Sequence, residues 1–130
     1  MQNDFISYPL ALRLKALGYD EPCFGYYDHT IKELDTISSD VCERLCKHHT
    51  HIKAPTFSQA FRWFREKYGV SVYISPLEDG SAFYHMVYTN INVPYSNRIC
   101  SLPSKWNTYE EAELACLEKL IEIVEHKQKE

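Results

Sequence analysis

Apolar positions in APTFSQAFRWFREKYG (54–69) fall at Phe57, Ala60, Phe61, Phe64 and Tyr68, the i, i+3, i+4 spacing of a helix that buries one stripe. Thr56 and Gln59 stand where a capping box satisfies the first backbone N–H groups, and Gly69 supplies a stop. The period then changes. VSVYISPL (70–77) and SAFYHMVYTNI (81–91) are β-branched and aromatic runs joined by Glu78-Asp79-Gly80, and Asp-Gly is a strong hairpin signal because Gly takes positive φ without penalty. NVPYSNRICSLPS reads as a third strand, which Pro94 and Pro103 confine to a sheet edge.

Helical spacing returns in TYEEAELACLEKLIEIVEHKQKE (108–130), where Ala112, Cys116, Leu117, Leu120, Ile121, Ile123 and Val124 give a wide core face. Thr108 and Glu111 predict a second capping box, and Glu110, Glu111 and Glu113 suit the positive end of the helix dipole. Glu118, Glu122 and Glu125 fall on the opposite side and are expected to face solvent. The core is expected where Phe61 and Phe64 meet Leu117, Leu120 and Ile121.

Upstream, Pro9 suits the first position of a short helix with Leu10, Leu14 and Leu17 on one stripe and Gly18 as its stop. YDEP predicts a turn and CFGYY (23–27) a strand. Residues 28–54 are the least regular: TIKELDTI extends a hairpin, and SDVCERLCKHH gives two or three helical turns with Val41, Leu45 and Cys42 inward. The expected fold is α+β, a small antiparallel sheet of two to four strands packed against a central helix and a C-terminal helix. It is read as a single domain over 1–130, with 1–53 as an N-terminal helix, strand and irregular segment and 54–130 as a helix–hairpin–helix core.

At 130 residues the chain is long enough to bury a core without metal or disulfide support. Aromatics stand out, with ten Tyr, six Phe and two Trp, a supply that serves strands and interfaces alike. The net charge of −4 argues against a general nucleic-acid binder. It is unevenly spread: six basic and eight acidic residues lie in 1–54, five and three in 55–107, three and seven in 108–130. The middle is therefore mildly basic and the last helix acidic. MQNDFISYPLALRLKALGYD lacks the basic start and apolar run of a secretory leader, and no apolar stretch reaches membrane-spanning length. Five irregularly spaced Cys, with Cys116 inside an apolar helical pattern, fit reduced thiols, so the expected location is the cytoplasm.

The run CERLCKHHTH (42–51) is the one metal-like cluster. Cys42 and Cys46 share a helical face, and His48, His49 and His51 follow at once. Structural zinc sites draw their ligands from separated knuckles, whereas this run is entirely local, so no metal is assigned and a small zinc-binding module stands as the lowest alternative. No motif sets a Cys against a His as a nucleophile, and Gly-rich phosphate loops, HExxH and GxSxG are missing from the sequence. Neither catalysis nor a cofactor is expected.

Binding chemistry concentrates in the middle. Arg62, Trp63, Arg65 and Lys67 lie mostly off the apolar stripe, with Trp63 about 240° round the helix from Phe57. Two readings of Trp63 stand side by side. An exposed Trp between arginines has the composition of a binding hot spot, or the ring packs beneath the N-terminal third of the chain. Arg62, Arg65 and Lys67 with Tyr73, Tyr84, Tyr88 and Arg98 also form a basic, aromatic set suited to stacking single-stranded RNA.

From residue 54 the order helix, strand, strand, third strand, helix resembles the double-stranded-RNA-binding domain. That family places a basic cluster at the start of its last helix, where this chain has Tyr109, Glu110, Glu111 and Glu113. The resemblance therefore extends to the order of elements and not to phosphate contacts. LALRLKALGYDEPCFGYY, APTFSQAFRWFREKYG and TYEEAELACLEKLIEIVE together resemble a family of small phage- and prophage-encoded proteins of Bacteroidetes-type bacteria. That resemblance implies a non-enzymatic accessory protein that binds a host protein or ribonucleoprotein stoichiometrically, for instance an anti-CRISPR-type inhibitor of a CRISPR effector. Association with single-stranded or structured RNA is the alternative.

Overall fold

The computed structural model of the chain describes residues 4–30, 32–36, 41, 44, 46, 51–88, 99–101 and 105–128. Helix α1 (Tyr8–Leu17) is followed by strands β1 (Gly25–Asp28), β2 (Leu34–Thr36) and β3 (His51–Lys53). Helix α2 (Phe57–Tyr68), strands β4 (Val70–Pro76), β5 (Ala82–Tyr88) and β6 (Ile99–Ser101), and helix α3 (Tyr109–Gln128) complete the order. The strands form two antiparallel sheets, ordered β2-β1-β3 and β4-β5-β6. The fold is α+β as expected, with two small sheets where the hydrophobic pattern announced one. The chain divides into two compact units, Met1–Ala60 with Val124–Glu130 in one and Phe61–Ile123 in the other.

In the first unit α1 starts one residue earlier than the pattern predicts, so Pro9 sits at the second helical position with Ser7 as N-cap. Either place suits a residue without an N–H, because the first-turn donors have no partner inside the helix. Leu10, Ala11, Leu14 and Leu17 are buried, and Gly18 closes the helix at φ 100°, a conformation that a side chain disfavours. The Gly18 and Tyr19 N–H groups donate to Lys15 and Leu14, each at 3.0 Å.

β1 is the central strand of the first sheet. Within TIKELDTI, Leu34–Thr36 pairs antiparallel with it, setting Tyr26 against Asp35 and Tyr27 against Leu34. On its other side Tyr27 pairs with Ile52. A Cβ on Gly25 would meet the Phe5 ring at 2.7 Å and the Ala54 carbonyl at 2.8 Å, so only glycine admits this approach. The buried Tyr27 hydroxyl donates to the Ile6 carbonyl at 2.7 Å, and burial raises its pKa above 10.0. Lys53 is buried, and its ammonium donates to the Asp20 carbonyl, the Asp20 carboxylate and the Glu21 carbonyl at 3.1, 3.0 and 3.2 Å. Those contacts use all three of its N–H bonds, which is how the charge is tolerated there.

Glu125, at the end of α3, departs from expectation. Its carboxylate accepts two hydrogen bonds from the Arg13 guanidinium, at 2.6 and 3.1 Å, and both side chains are about one-third exposed. Glu118 and Glu122 are exposed as predicted.

In the second unit the expected hairpin forms with Pro76 opposite Ala82. The Gly80 N–H donates to Leu77 at 3.0 Å, the Leu77 N–H to Ser81 at 2.7 Å, and Gly80 has φ 91°. This is a three-residue loop with a glycine bulge, the form that matches the twist of the strands. Val87, opposite Ile99, and Met86, opposite Cys100, make β6 the third strand expected from NVPYSNRICSLPS. Both capping boxes are present. Thr56 and Gln59 cap one another reciprocally at 2.9 and 3.2 Å. Thr108 accepts the Glu111 N–H at 3.1 Å, while the Glu111 carboxylate reaches past it to the Asn107 N–H at 3.2 Å. Along α3, Ala112, Cys116, Leu117, Leu120 and Ile121 are buried as their spacing predicts.

The buried face of α2 is rotated from the one expected. Ala60, Trp63 and Phe64 are buried, whereas Phe57, Phe61 and Tyr68 are half-buried. At about 100° per residue, the buried residues span an arc of about 100° centred about 70° away from Phe57. Phe57 and Phe61 lie at the margin of the core, and Phe64, at 0% exposure, is the largest fully buried side chain on this helix.

Candidate interaction surface

Trp63 is 5% exposed, and its ring meets Phe64 and Tyr68 edge-on at 5.0 and 5.6 Å. The expectation of an exposed anchor is corrected: Trp63 is a core residue, because the rotated face of α2 turns it inward. Lys67 lies over this ring, with Nζ 4.9 Å from its centroid, so the ammonium covers the tryptophan. Arg62 and Arg65 are exposed, and Arg62 donates to Glu66 one turn on at 2.9 Å. That i, i+4 pair is a solvated one of small energetic weight.

Strand parity separates the tyrosines that the sequence grouped together. Successive side chains alternate between the two faces of a sheet. Ala82, Tyr84 and Met86 are buried at 0–2% exposure, and the Tyr84 ring stacks on Trp106 at 5.0 Å. Tyr84 is therefore a core residue and not a contact residue. Tyr73 belongs to the opposite face and is 57% exposed. Arg98 and the side chain of Tyr88 lie outside the described residues, as do Cys42, Leu45, His48 and His49.

The outward face is built by the register. His85 stands directly opposite Tyr73, Phe83 opposite Ser75, and the Phe83 and His85 rings meet edge-on at 4.9 Å and 87°. Tyr73, Phe83 and His85 thus present three rings on one side of the hairpin, with Ser71 and Ser75 as small neighbours. This face carries no Lys, Arg, Asp or Glu among its described residues. Phe83 and His85 were missed by the sequence reading. The signal for them was the three-residue turn, which sets the register and puts odd positions of both strands on one face.

Acidic groups begin only at the tip. Asp79 accepts from the Ser81 hydroxyl and, at 3.0 Å, from the Ser81 N–H. These bonds, with a smaller contribution from Lys105, hold its carboxyl below the ordinary 3.8.

Of the metal-like run, Cys46 is half-buried and His51 pairs with Asp28 across β3 and β1, its Nε2 3.9 Å from the carboxylate. Its ring also packs on Tyr26 at 5.2 Å. Among the described residues no three His, Cys, Asp or Glu side chains are placed to share a metal ion. Cys23 and Cys116 are buried thiols, and no described helix is long and apolar enough to cross a membrane. Comparison with protein-family models, characterised proteins and solved structures returns no match.

Proposed function

We propose that the chain is a non-enzymatic binding protein that occupies a protein partner through the outward face of β4 and β5. The observation that carries this reading is the ring cluster of Tyr73, Phe83 and His85 on a face whose described residues include no charged side chain. Aromatic enrichment with depletion of charge is the composition of the centre of a protein–protein contact. A nucleic-acid platform needs cations beside its rings to meet phosphates, and two of the three cations of α2 are otherwise engaged: Arg62 is paired with Glu66 and Lys67 covers Trp63, which leaves Arg65. The resemblance to phage-encoded proteins makes a bacterial host factor the partner class to try first, with a CRISPR effector as one instance.

The test is capture from bacterial host lysate by the immobilised protein, with bound material analysed for protein and for RNA. Tyr73→Ser is expected to abolish retention of the protein partner, whereas Arg65→Glu retains it. Inhibition of an identified target is expected to saturate at a fixed molar ratio. Retention of RNA that falls steeply with salt and depends on Arg65 overturns the reading in favour of nucleic acid.

A further inference from the structure

We propose that β4 pairs antiparallel with β4 of a second copy of this chain, joining two β4-β5-β6 sheets edge to edge across a two-fold axis. This goes beyond the Tyr73 face and does not depend on it.

β4 is an outer strand of its sheet. The Leu77 N–H donates toward Ser81, and the register runs on through Ser75 opposite Phe83 and Tyr73 opposite His85. Backbone groups alternate in direction along an antiparallel strand, so those of Ser71, Tyr73 and Ser75 point to β5 and those of Val70, Val72 and Ile74 point out of the sheet. β5 agrees, because Ala82 exchanges both of its backbone bonds with Trp106, at 2.9 and 2.8 Å, on the side away from β4. Among the described residues, no hydrogen bond reaches the backbone of Val72 or Ile74 from beyond that edge.

The other outer strands are guarded and β4 is not. β2, β3 and β6 have three residues each, and β2 and β3 carry Asp35 and Lys53. β4 has seven residues, VSVYISP, with no charge and a proline only at its end. Short length, charge and interior proline are the usual protections of a sheet edge. A strand that lacks all three is a template for strand addition.

The occupant follows from self-complementarity. An antiparallel register centred on Val72 sets Val72 against Val72, Val70 against Ile74 and Ser71 against Tyr73. Branched residues oppose branched ones on one face, and a small residue opposes a large one on the other. Arg65 and Lys67 precede β4 while Glu78 and Asp79 follow it, so pairing brings the basic end of each copy to the acidic end of its mate. A two-fold operation makes both halves of such a contact equivalent.

The experiment uses the full chain alone, by sedimentation equilibrium and residue-resolved amide exchange from low to high micromolar concentration. The mass is expected to rise from 15.3 kDa toward twice that value. The Val72 and Ile74 amides are expected to gain roughly tenfold protection with concentration, while Tyr73 and Ser75, already bonded to β5, stay unchanged. Val72→Pro removes an N–H that the hairpin does not use and is expected to give a monomer with a native circular dichroism spectrum. Should that variant fail to fold, exchange in the native chain decides. A single-copy mass throughout overturns the proposal, as does a dimer whose Val72 and Ile74 amides exchange at unchanged rates. Protection that appears only on adding a different protein also overturns it, since the edge then serves that protein. Tyr73→Ser leaves the edge groups of β4 in place, so loss of partner capture with persistence of the dimer separates the two proposals.

Discussion

Phe64 and Phe61 are three residues apart on α2, and both match the helical pattern, yet one is 0% exposed and the other half-buried. Phe64→Ala leaves a cavity among packed neighbours and is expected to cost about 3–5 kcal/mol in chemical denaturation, whereas Phe61→Ala costs less than about half of that. Equal losses would place Phe61 in the core. A similar contrast holds among the glutamates of α3. Replacing Glu118 and Glu122 together by Gln is expected to change stability by less than about 0.5 kcal/mol. Glu125→Gln gives up the two-pronged contact with Arg13 and is expected to cost about 1 kcal/mol, an effect that a double-mutant cycle with Arg13→Ala should trace to that pair. Residue patterns exposed the apolar positions of both helices. They did not fix which part of an apolar arc faces inward, because Trp63 is apolar enough to be buried and its place depends on what the rest of the fold brings to it.

At the scale of elements, local chemistry was legible and long-range pairing was not. The two capping boxes, the Gly18 stop and the Asp79-Gly80 turn are set by residues within five positions of one another, and each appears where the sequence puts it. β3 was not foreseen, because His51-Ile52-Lys53 becomes a strand only by pairing with β1, more than twenty residues away. The same limit hid the ring cluster: Phe83 and His85 join Tyr73 only once the register is known. The turn also carries a pH dependence. Its Asp79 carboxyl is held below 3.8, chiefly by the Ser81 hydroxyl and N–H, so its contribution is fully present above that value and is lost as pH falls through the lower folded-state pKa. An NMR titration of the Ser81 amide is expected to show a transition centred below 3.8 that Asp79→Asn removes. A transition at or above 3.8 would mean that the carboxylate does not hold the turn in solution.

For the whole molecule, charge and function part company with the first impression of the sequence. The basic residues of α2 suggested a contact made of Arg and Trp, but Trp63 is buried, Arg62 is paired and Lys67 lies on the Trp63 ring. Of the aromatics that the sequence reading grouped there, Tyr73 stays outward, on the odd-numbered face of β4 and β5, which carries no described charge. A large, half-exposed ring at the centre of such a face is the kind of side chain whose truncation costs a complex about 2 kcal/mol or more, roughly thirtyfold in affinity. The most direct test is therefore partner capture by Tyr73→Ser compared with the native chain, both shown to be folded by their melting curves. The account predicts an unchanged melting temperature within a few degrees and loss of the captured protein from the variant. Undiminished capture by a folded Tyr73→Ser protein would contradict it.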